Sequence, residues 1–422
     1  MNELSVWSGR LRVGRLQMSS DGLTFTYEAD WLSDPKGFSL STRLRRQTEP
    51  HRGPELLYWL LNLLPEGEAA TTIGRATGTA VDDVLGLFGE IGRDTAGALR
   101  FAVQRSRATL ARARRLTDRE VAGLIEGLPQ RPLGFGKKGV RLSLPGIQPK
   151  LGLAGQPDAL ELPVGDRPST FILKPEMARL WGSAHNEAFC LALARTAKID
   201  ACHAEVRHFD KHAALLVTRY DRTGEGNEVR RIHQEDFCQA LGIPPSRKYE
   251  RNQAGMPGPS AVDALQLIGQ VVNTRPPAAA RIVFLEALVF NVMIQNTDAH
   301  AKNYSLLIRA GDKVDLAPLY DLVSAYPYTT LTRNLAMGIA GKHRGDHIAG
   351  RHWQRLARDA GMSPKGILEL VRSALSRVTA QVNVVLDRHM ADASTTHPVL
   401  PQIARGIHEQ ATRLANRLVE IE

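Results

Sequence analysis

Apolar and polar positions alternate along the first thirty residues and then give way to helical spacing. Residues 4 to 27 hold two alternating runs, "LSVWSGRLRVGRLQM" and "LTFTYEA", separated by "SSDG". Period-two alternation broken at Asp21 and Gly22 predicts a short antiparallel sheet with a turn there. "PELLYWLLNLLPEGEAA" has the apolar turns of a helix that stops at Pro65, and "VDDVLGLFGEIGRDTAGALRF" leads from a helix through a glycine-rich turn into a strand. These elements predict an α+β unit of about one hundred residues, an ordinary domain size.

The pattern then changes. "VQRSRATLARARRLTDREVAGLIEGLPQRPLGFGKKGV" is dense in arginine, starts a short helix with a capping box at Thr117 and Glu120, and ends in proline, glycine and lysine. It reads as a boundary and basic linker. From Val140 strands return ("VRLSL", "KLGLA", and "TFILK" at 170 to 174), and Ser183 can cap the helix "AHNEAFCLALARTAKI". "ALLVTRYDR" reads as another strand. After residue 230 helices dominate, ending in an amphipathic helix begun near Pro401. A small β-rich lobe therefore precedes a larger helical one.

Composition changes the picture in two ways. The 54 lysines and arginines against 44 aspartates and glutamates leave a formal charge of +10, which favours contact with a polyanion or simply makes a basic surface. Three cysteines (Cys190, Cys202, Cys238) without C-x-x-C spacing exclude a disulfide framework or a cysteine zinc site and fit a reducing cytoplasm. A charged beginning and the lack of any run of eighteen apolar residues predict neither a signal peptide nor a membrane span.

The candidate chemistry lies where the nearly all-apolar "AARIVFLEALVFNVMI" ends. "QNTDAHAKNYSLLI", 295 to 308, places Asn296, Asp298, His300, Lys302 and Asn303 within eight positions before an apolar strand resumes. An aspartate, an asparagine five residues on, a strand pair and then Asp321 is the order that phosphoryl transfer needs. One carboxylate accepts the proton of the attacking hydroxyl, while an amide and a second carboxylate hold magnesium against the triphosphate. The same residues would also close a helix-to-strand turn. Upstream, Lys174 ends an apolar strand and can reach phosphates, with Glu187 in the next helix to orient it; a solvated strand-end charge is the alternative. "SLPGIQPKLG" makes a tight turn in which Gly146 allows close approach to phosphate and Gln148 and Lys150 point at it. "GFGKKG", Gly134 to Gly139, matches a dinucleotide fingerprint only literally, because no good strand precedes it and no helix follows; no Walker sequence occurs. His343, Asp346, His347 and His352 are close in sequence without a clean metal-ligand geometry. "PPSRKYE", ending at Glu250, can position the substrate or the catalytic aspartate.

Six stretches, "RLSLPGIQPKLGL", "FILKPE", "HQEDFCQALGIPPSRKYE", "NTDAHAKNYSLLI", "LYDLVSAYP" and "LAMGI", occur in the order found in the HipA toxin kinases of bacterial toxin-antitoxin modules, which the chain resembles over nearly its whole length. "NLLPEGEAA" and "GEIGRDTAGAL" resemble the small domain that precedes the kinase in that family. The resemblance implies an α+β, two-lobed fold akin to protein and lipid kinases. The expected division is an N-terminal subdomain at 1–105, the linker at 106–139, a small kinase lobe at 140–230 and a helical lobe at 231–422. It also implies ATP and Mg2+ as cofactors, with Asp298 as catalytic base, Asn303 and Asp321 as magnesium ligands, and Lys174 as phosphate-binding lysine. His300 and Lys302 would line the catalytic loop, and the hinge would bring Val217, Tyr220 and Asp221 to the nucleotide. Ser143 matches the serine that family members phosphorylate on themselves, although Pro145, Ile147 and Pro149 stiffen the loop beside it. Expected partners are a helix-turn-helix antitoxin of HipB type, operator DNA through that complex, and a translation component such as glutamyl-tRNA synthetase. A DNA-associated co-repressor with little kinase activity is the alternative, and a catalytically silent kinase the last.

Overall fold

Alternation in the first thirty residues builds a sheet with one more turn than expected. In the computed structural model, which describes residues 2–102, 114–135, 142–224, 226–252 and 255–421, the first alternating run folds back on itself. Strand Glu3–Ser8 pairs antiparallel with Leu11–Ser19, Ser8 opposite Leu11. Gly22–Tyr27 follows with Ser19 opposite Gly22, closing the expected turn at Asp21. His51–Arg52 and Leu99–Ala102 complete a five-stranded sheet, one at each edge. The alternation buries Leu4, Val6, Val13, Leu16 and Phe25 completely, and the helices Pro54–Leu61 and Val84–Ile91 add Leu56, Leu60 and Phe88. Apolar area removed from water at about 25 cal/mol per Å² holds this core together.

The segment expected as a linker is partly built into the fold. Helix Asp118–Glu126 starts at the expected capping box, with Thr117 accepting from the Glu120 amide and the Glu120 carboxylate accepting from the Thr117 amide. Its Val121, Leu124 and Ile125, at helical spacing, pack with Leu151, Leu153, Phe171, Leu173, Phe209 and Leu216. Those residues belong to a second antiparallel sheet, in the order Ala204–Phe209, His212–Thr218, Phe171–Pro175, Leu151–Gln156, Ala159–Glu161. Residues 103–113 of the arginine-rich stretch, and most of "GFGKKG" with the start of "VRLSL", lie outside the described residues.

The chain divides into two compact units. One comprises 1–175, 207–245 and 306–314, and the other 176–206, 246–305 and 315–422. In the second, the 28-residue helix Pro364–Ala391 buries Val371, Val378, Val382 and Val385 and packs on Ser183–Thr196, Pro277–Met293 and Val399–Arg417. Ser183 is the first residue of its helix rather than the cap; Gly182 takes the cap position and the Ser183 hydroxyl accepts from the Met177 amide at 2.8 Å. Pro277 opens the apolar helix, where a missing N–H leaves nothing unsatisfied. Among the described residues no helix is long and apolar enough to cross a membrane.

Candidate active site

Helix Pro277–Met293 is buried along Phe284, Leu288, Phe290 and Met293, so its carboxyl end is fixed. The polar knot starts there. Gln295 takes φ +52°, a left-handed backbone that ends the helix, and the Asn296 amide donates to the Asn291 carbonyl at 2.9 Å. Asn296, 1% exposed, is the hub: its Nδ2 donates to Asn291 Oδ1 at 2.9 Å and to the Asp321 carbonyl at 3.1 Å, and its Oδ1 accepts from the Asp298 amide at 3.2 Å. Asn303 Nδ2 donates to the Asp298 carbonyl at 2.7 Å. Two amide side chains thus hold the backbone of Asp298, whose side chain is exposed. Asp321 has φ +52°, unusual for a residue with a side chain; such strain persists only where surroundings impose it, and the Asn296 bond is one such restraint.

Further contacts brace the loop. Tyr320 donates to the Lys302 carbonyl at 2.7 Å and lies 2.6 Å from the Ser305 hydroxyl, joining the residue before Asp321 to the Asp298 stretch. The Tyr249 hydroxyl donates to Asp298 Oδ1 at 2.5 Å, and the Ala301 amide donates to the Lys248 carbonyl at 3.1 Å, so "PPSRKYE" touches the aspartate directly. Burial, and after it the positive charges of Lys248 and Lys302, hold His300 neutral, down to about 3, against the pull of Asp321. His300 therefore serves this loop as a neutral, packed ring rather than as an acid at ordinary pH. Glu187 is 3% exposed in the helix Ser183–Thr196. Its neighbour Asn186 binds both the carbonyl and the amide of Ser324 at 2.8 Å, anchoring the stretch that follows Asp321.

The residues expected at the nucleotide belong to the other unit. Lys174, 6% exposed, lies on strand Phe171–Pro175 opposite Leu215, and Val217 lies opposite Ile172. Gly146 has φ +103°, which a side chain would resist, and the Lys150 ammonium folds over its turn to donate to the Pro145 carbonyl at 2.7 Å. Ile147 is exposed and Gln148 half-buried. Ser143 is fully covered: its hydroxyl donates to the Leu63 carbonyl at 2.8 Å, and its short strand pairs in parallel with Asp94–Thr95. Tyr220 is half-buried and donates to Gln234.

Asp221 is placed otherwise than a nucleotide ligand would be. Its carboxylate is buried against Arg219 at 2.7 Å, Arg222 at 2.9 Å and the Gly97 amide at 2.7 Å. Arg222 and Arg231 reach Asp94 at 3.0 and 3.2 Å, and Ser169 donates to Asp94 through its amide and hydroxyl. Burial alone would push both carboxyls up, but the guanidiniums outweigh it and hold Asp94 and Asp221 below the usual carboxylate range. The sequence shows these arginines only as neighbours of the expected hinge.

For a metal, the donor set is the test. Asn303 spends its Nδ2 on Asp298, which leaves its amide oxygen as a donor, and Asp321 adds a carboxylate. Both are hard oxygen ligands suited to magnesium, which takes one or two protein groups and completes its shell with phosphate oxygens and water. Among the described residues no group of three or more His, Cys, Asp or Glu is placed to hold a metal. Of the histidines at 343–352, His343 Nδ1 meets the Leu335 carbonyl at 2.9 Å and His352 Nδ1 accepts from the Ala349 amide at 3.0 Å, both structural contacts, while His347 is exposed.

One unit is β-rich and carries a buried strand lysine; the other carries an exposed aspartate, a braced asparagine and a second aspartate, the residue types that phosphoryl transfer uses. The model of the HipA-like C-terminal domain matches residues 142–382, and that of the HipA N-terminal domain matches 4–102. The chain belongs to the HipA family of serine/threonine protein kinases. It is 34% identical over 397 residues to Y4mE of Sinorhizobium fredii, named as a kinase, covering 92% of this chain and 91% of that one. The serine/threonine-protein kinase toxin HipA of Shewanella oneidensis is 32% identical over 350 residues, 80% of this chain and 78% of that one. A solved structure of the Shewanella oneidensis toxin-antitoxin system, HipA with HipB and its operator DNA, is similar with a TM-score of 0.85 and 26% identity, covering 99% of both chains.

Proposed function

We propose that this protein transfers the γ-phosphoryl group of magnesium-bound ATP to a serine or threonine of another protein, as the toxin of a toxin-antitoxin pair. The observation that carries this reading is the Asp298 loop: a backbone pinned by Asn296 and Asn303 that leaves the carboxylate exposed to an incoming hydroxyl. In the transfer, the acceptor oxygen bonds to the γ-phosphorus, the bond to the ADP oxygen breaks, and Asp298 takes the hydroxyl proton. Asn303 and Asp321 would hold magnesium, which when bound offsets phosphate charge; Lys174, oriented by Glu187, would hold the α and β phosphates, and Lys302 would steady the γ-phosphate. Gly146, Gln148 and Lys150 would close over the phosphates, with Val217 and Tyr220 at the base. Asp221 acts beneath that hinge, through its arginines.

Transfer to Ser143 itself requires the Leu142–Ser143 pairing with Asp94–Thr95 to open, so self-modification is slower than transfer to an external acceptor. The acceptor we propose is a translation component of aminoacyl-tRNA synthetase type, the glutamyl enzyme first. Similarity across 99% of a HipA that is complexed with HipB and operator DNA supports a second, compatible role as partner of a helix-turn-helix antitoxin on DNA. Labelled ATP, magnesium and cell extract, with wild type beside Asp298→Asn, test the reading: a labelled extract protein and, more slowly, a labelled Ser143 peptide are expected from wild type only. Equal labelling by both forms, or none by either, removes the kinase role and leaves the antitoxin one.

A further inference from the structure

We infer that Tyr249 is a positioning residue for phosphoryl transfer, holding one oxygen of the Asp298 carboxylate and with it the orientation of that carboxylate toward the acceptor hydroxyl; this rests on the kinase reading above. Asn296 and Asn303 restrain only the Asp298 backbone, which leaves the carboxylate torsion to be set by what its oxygens meet. The Tyr249 hydroxyl meets Oδ1 at 2.5 Å. A phenol donating to one carboxylate oxygen orients the other without taking its proton-accepting lone pairs.

The chain around Tyr249 is held as such a role requires. Asn252 Nδ2 donates to the Tyr249 carbonyl at 3.1 Å, the Gly258 amide to the Glu250 carbonyl at 3.0 Å, and the Glu250 amide to the Ala336 carbonyl at 3.2 Å. Glu250 Oε2 accepts from the Gly338 amide at 2.6 Å. Gly258 passes so close that a Cβ there would lie 2.1 Å from the Arg247 carbonyl and 2.2 Å from that of Tyr249. The Tyr249 ring stands edge-on to His300, centroids 4.9 Å apart, and the buried His300 ring supplies a packed wall. Backbone, ring and hydroxyl are thus each located by a separate contact, which is what holding a reacting group to within fractions of an ångström demands.

The test is steady-state transfer from labelled ATP to dephosphorylated casein in the full-length protein. Tyr249→Phe keeps the ring against His300 and removes only the donor; kcat should fall about tenfold, the worth of a hydrogen bond to a charged group, with KM for ATP and melting temperature unchanged. Gly258→Ala reaches the same contact from behind by displacing the Tyr249 carbonyl. It should also lower kcat with KM for ATP kept, and combined with Tyr249→Phe it should add almost nothing, because both remove one interaction. An unchanged kcat in Tyr249→Phe, a loss confined to KM or melting temperature, or two losses that multiply would overturn the inference. Wild type that transfers no more than Asp298→Asn would instead remove the kinase reading, and the positioning role with it.

Discussion

Asp221 and Asp298 are both candidate site residues by sequence, yet the fold uses them in opposite ways. Asp221 is buried, and Arg219 and Arg222 reach it at 2.7 and 2.9 Å as part of a network with Asp94 and Arg231. Asp298 is exposed, with two asparagine amides on its backbone and a phenol donating to one of its oxygens. A guanidinium beside a carboxylate satisfies its charge and ends its chemistry. Amides and hydroxyls locate a carboxylate while leaving the charge to be used. The first arrangement fixes structure; the second suits the base proposed above.

The largest effect expected from this contrast is at Asp298. Replacement by Asn keeps the shape and removes the proton acceptor, and transfer should fall by roughly 10³-fold while the urea midpoint stays put. A fall in stability with the rate kept would mean that Asp298, too, is structural. The buried network should answer in the reverse sense. Asp94→Asn leaves Arg219 and Arg222 sharing Asp221 and removes the carboxylate that Arg231 reaches, and urea unfolding should show a loss of about 3–5 kcal/mol. Arg222→Met should lose less, because burial and the nearby charge of Arg219 already bring Arg222 down to about 10. Equal losses for the two substitutions would show that the guanidiniums do not repel one another as placed.

How much of this was legible varies with the range of the interaction. The apolar helix, polar knot and strand around Asp298 follow from local pattern, as does the capping box at Thr117. The Asp298 contact with Tyr249 joins residues 49 positions apart, and the Arg222 contact with Asp94 joins residues 128 apart. No periodicity reports such pairings; "VTRYDR" shows the arginines but not the carboxylate upstream that claims them. For helix Asp118–Glu126 the helix itself is legible and its packing is not: the arginine density around it points to a solvated linker, whereas Val121, Leu124 and Ile125 join the core of the second sheet. The early turn at Gly9 escaped because alternation continues on both sides of it, so one long strand and a hairpin give the same pattern.

A third carboxylate sharpens the comparison with a smaller effect. Glu235 is fully buried like Asp221, yet its donors are neutral: the Thr42 amide at 2.9 Å and hydroxyl at 2.7 Å, with Ser41 beside them. Without a guanidinium to oppose it, burial pushes Glu235 from 4.5 up to about 7. Between those values the folded protein keeps a proton that the unfolded chain has released, so this group's contribution to stability falls as pH rises from about 4.5 to 7 and is level above. The shift corresponds to roughly 3 kcal/mol at most. Asp94 and Asp221, held below their ordinary range, act with the opposite sign: their stabilisation is full above about pH 4 and is lost as pH falls further. Glu235→Gln keeps an acceptor and cannot ionise, so its stability relative to wild type, read from urea midpoints at pH 5, 6, 7 and 8, should climb across the window and then hold. A flat difference would mean that the Glu235 charge is as well compensated as that of Asp221, and that a guanidinium is not what separates the two.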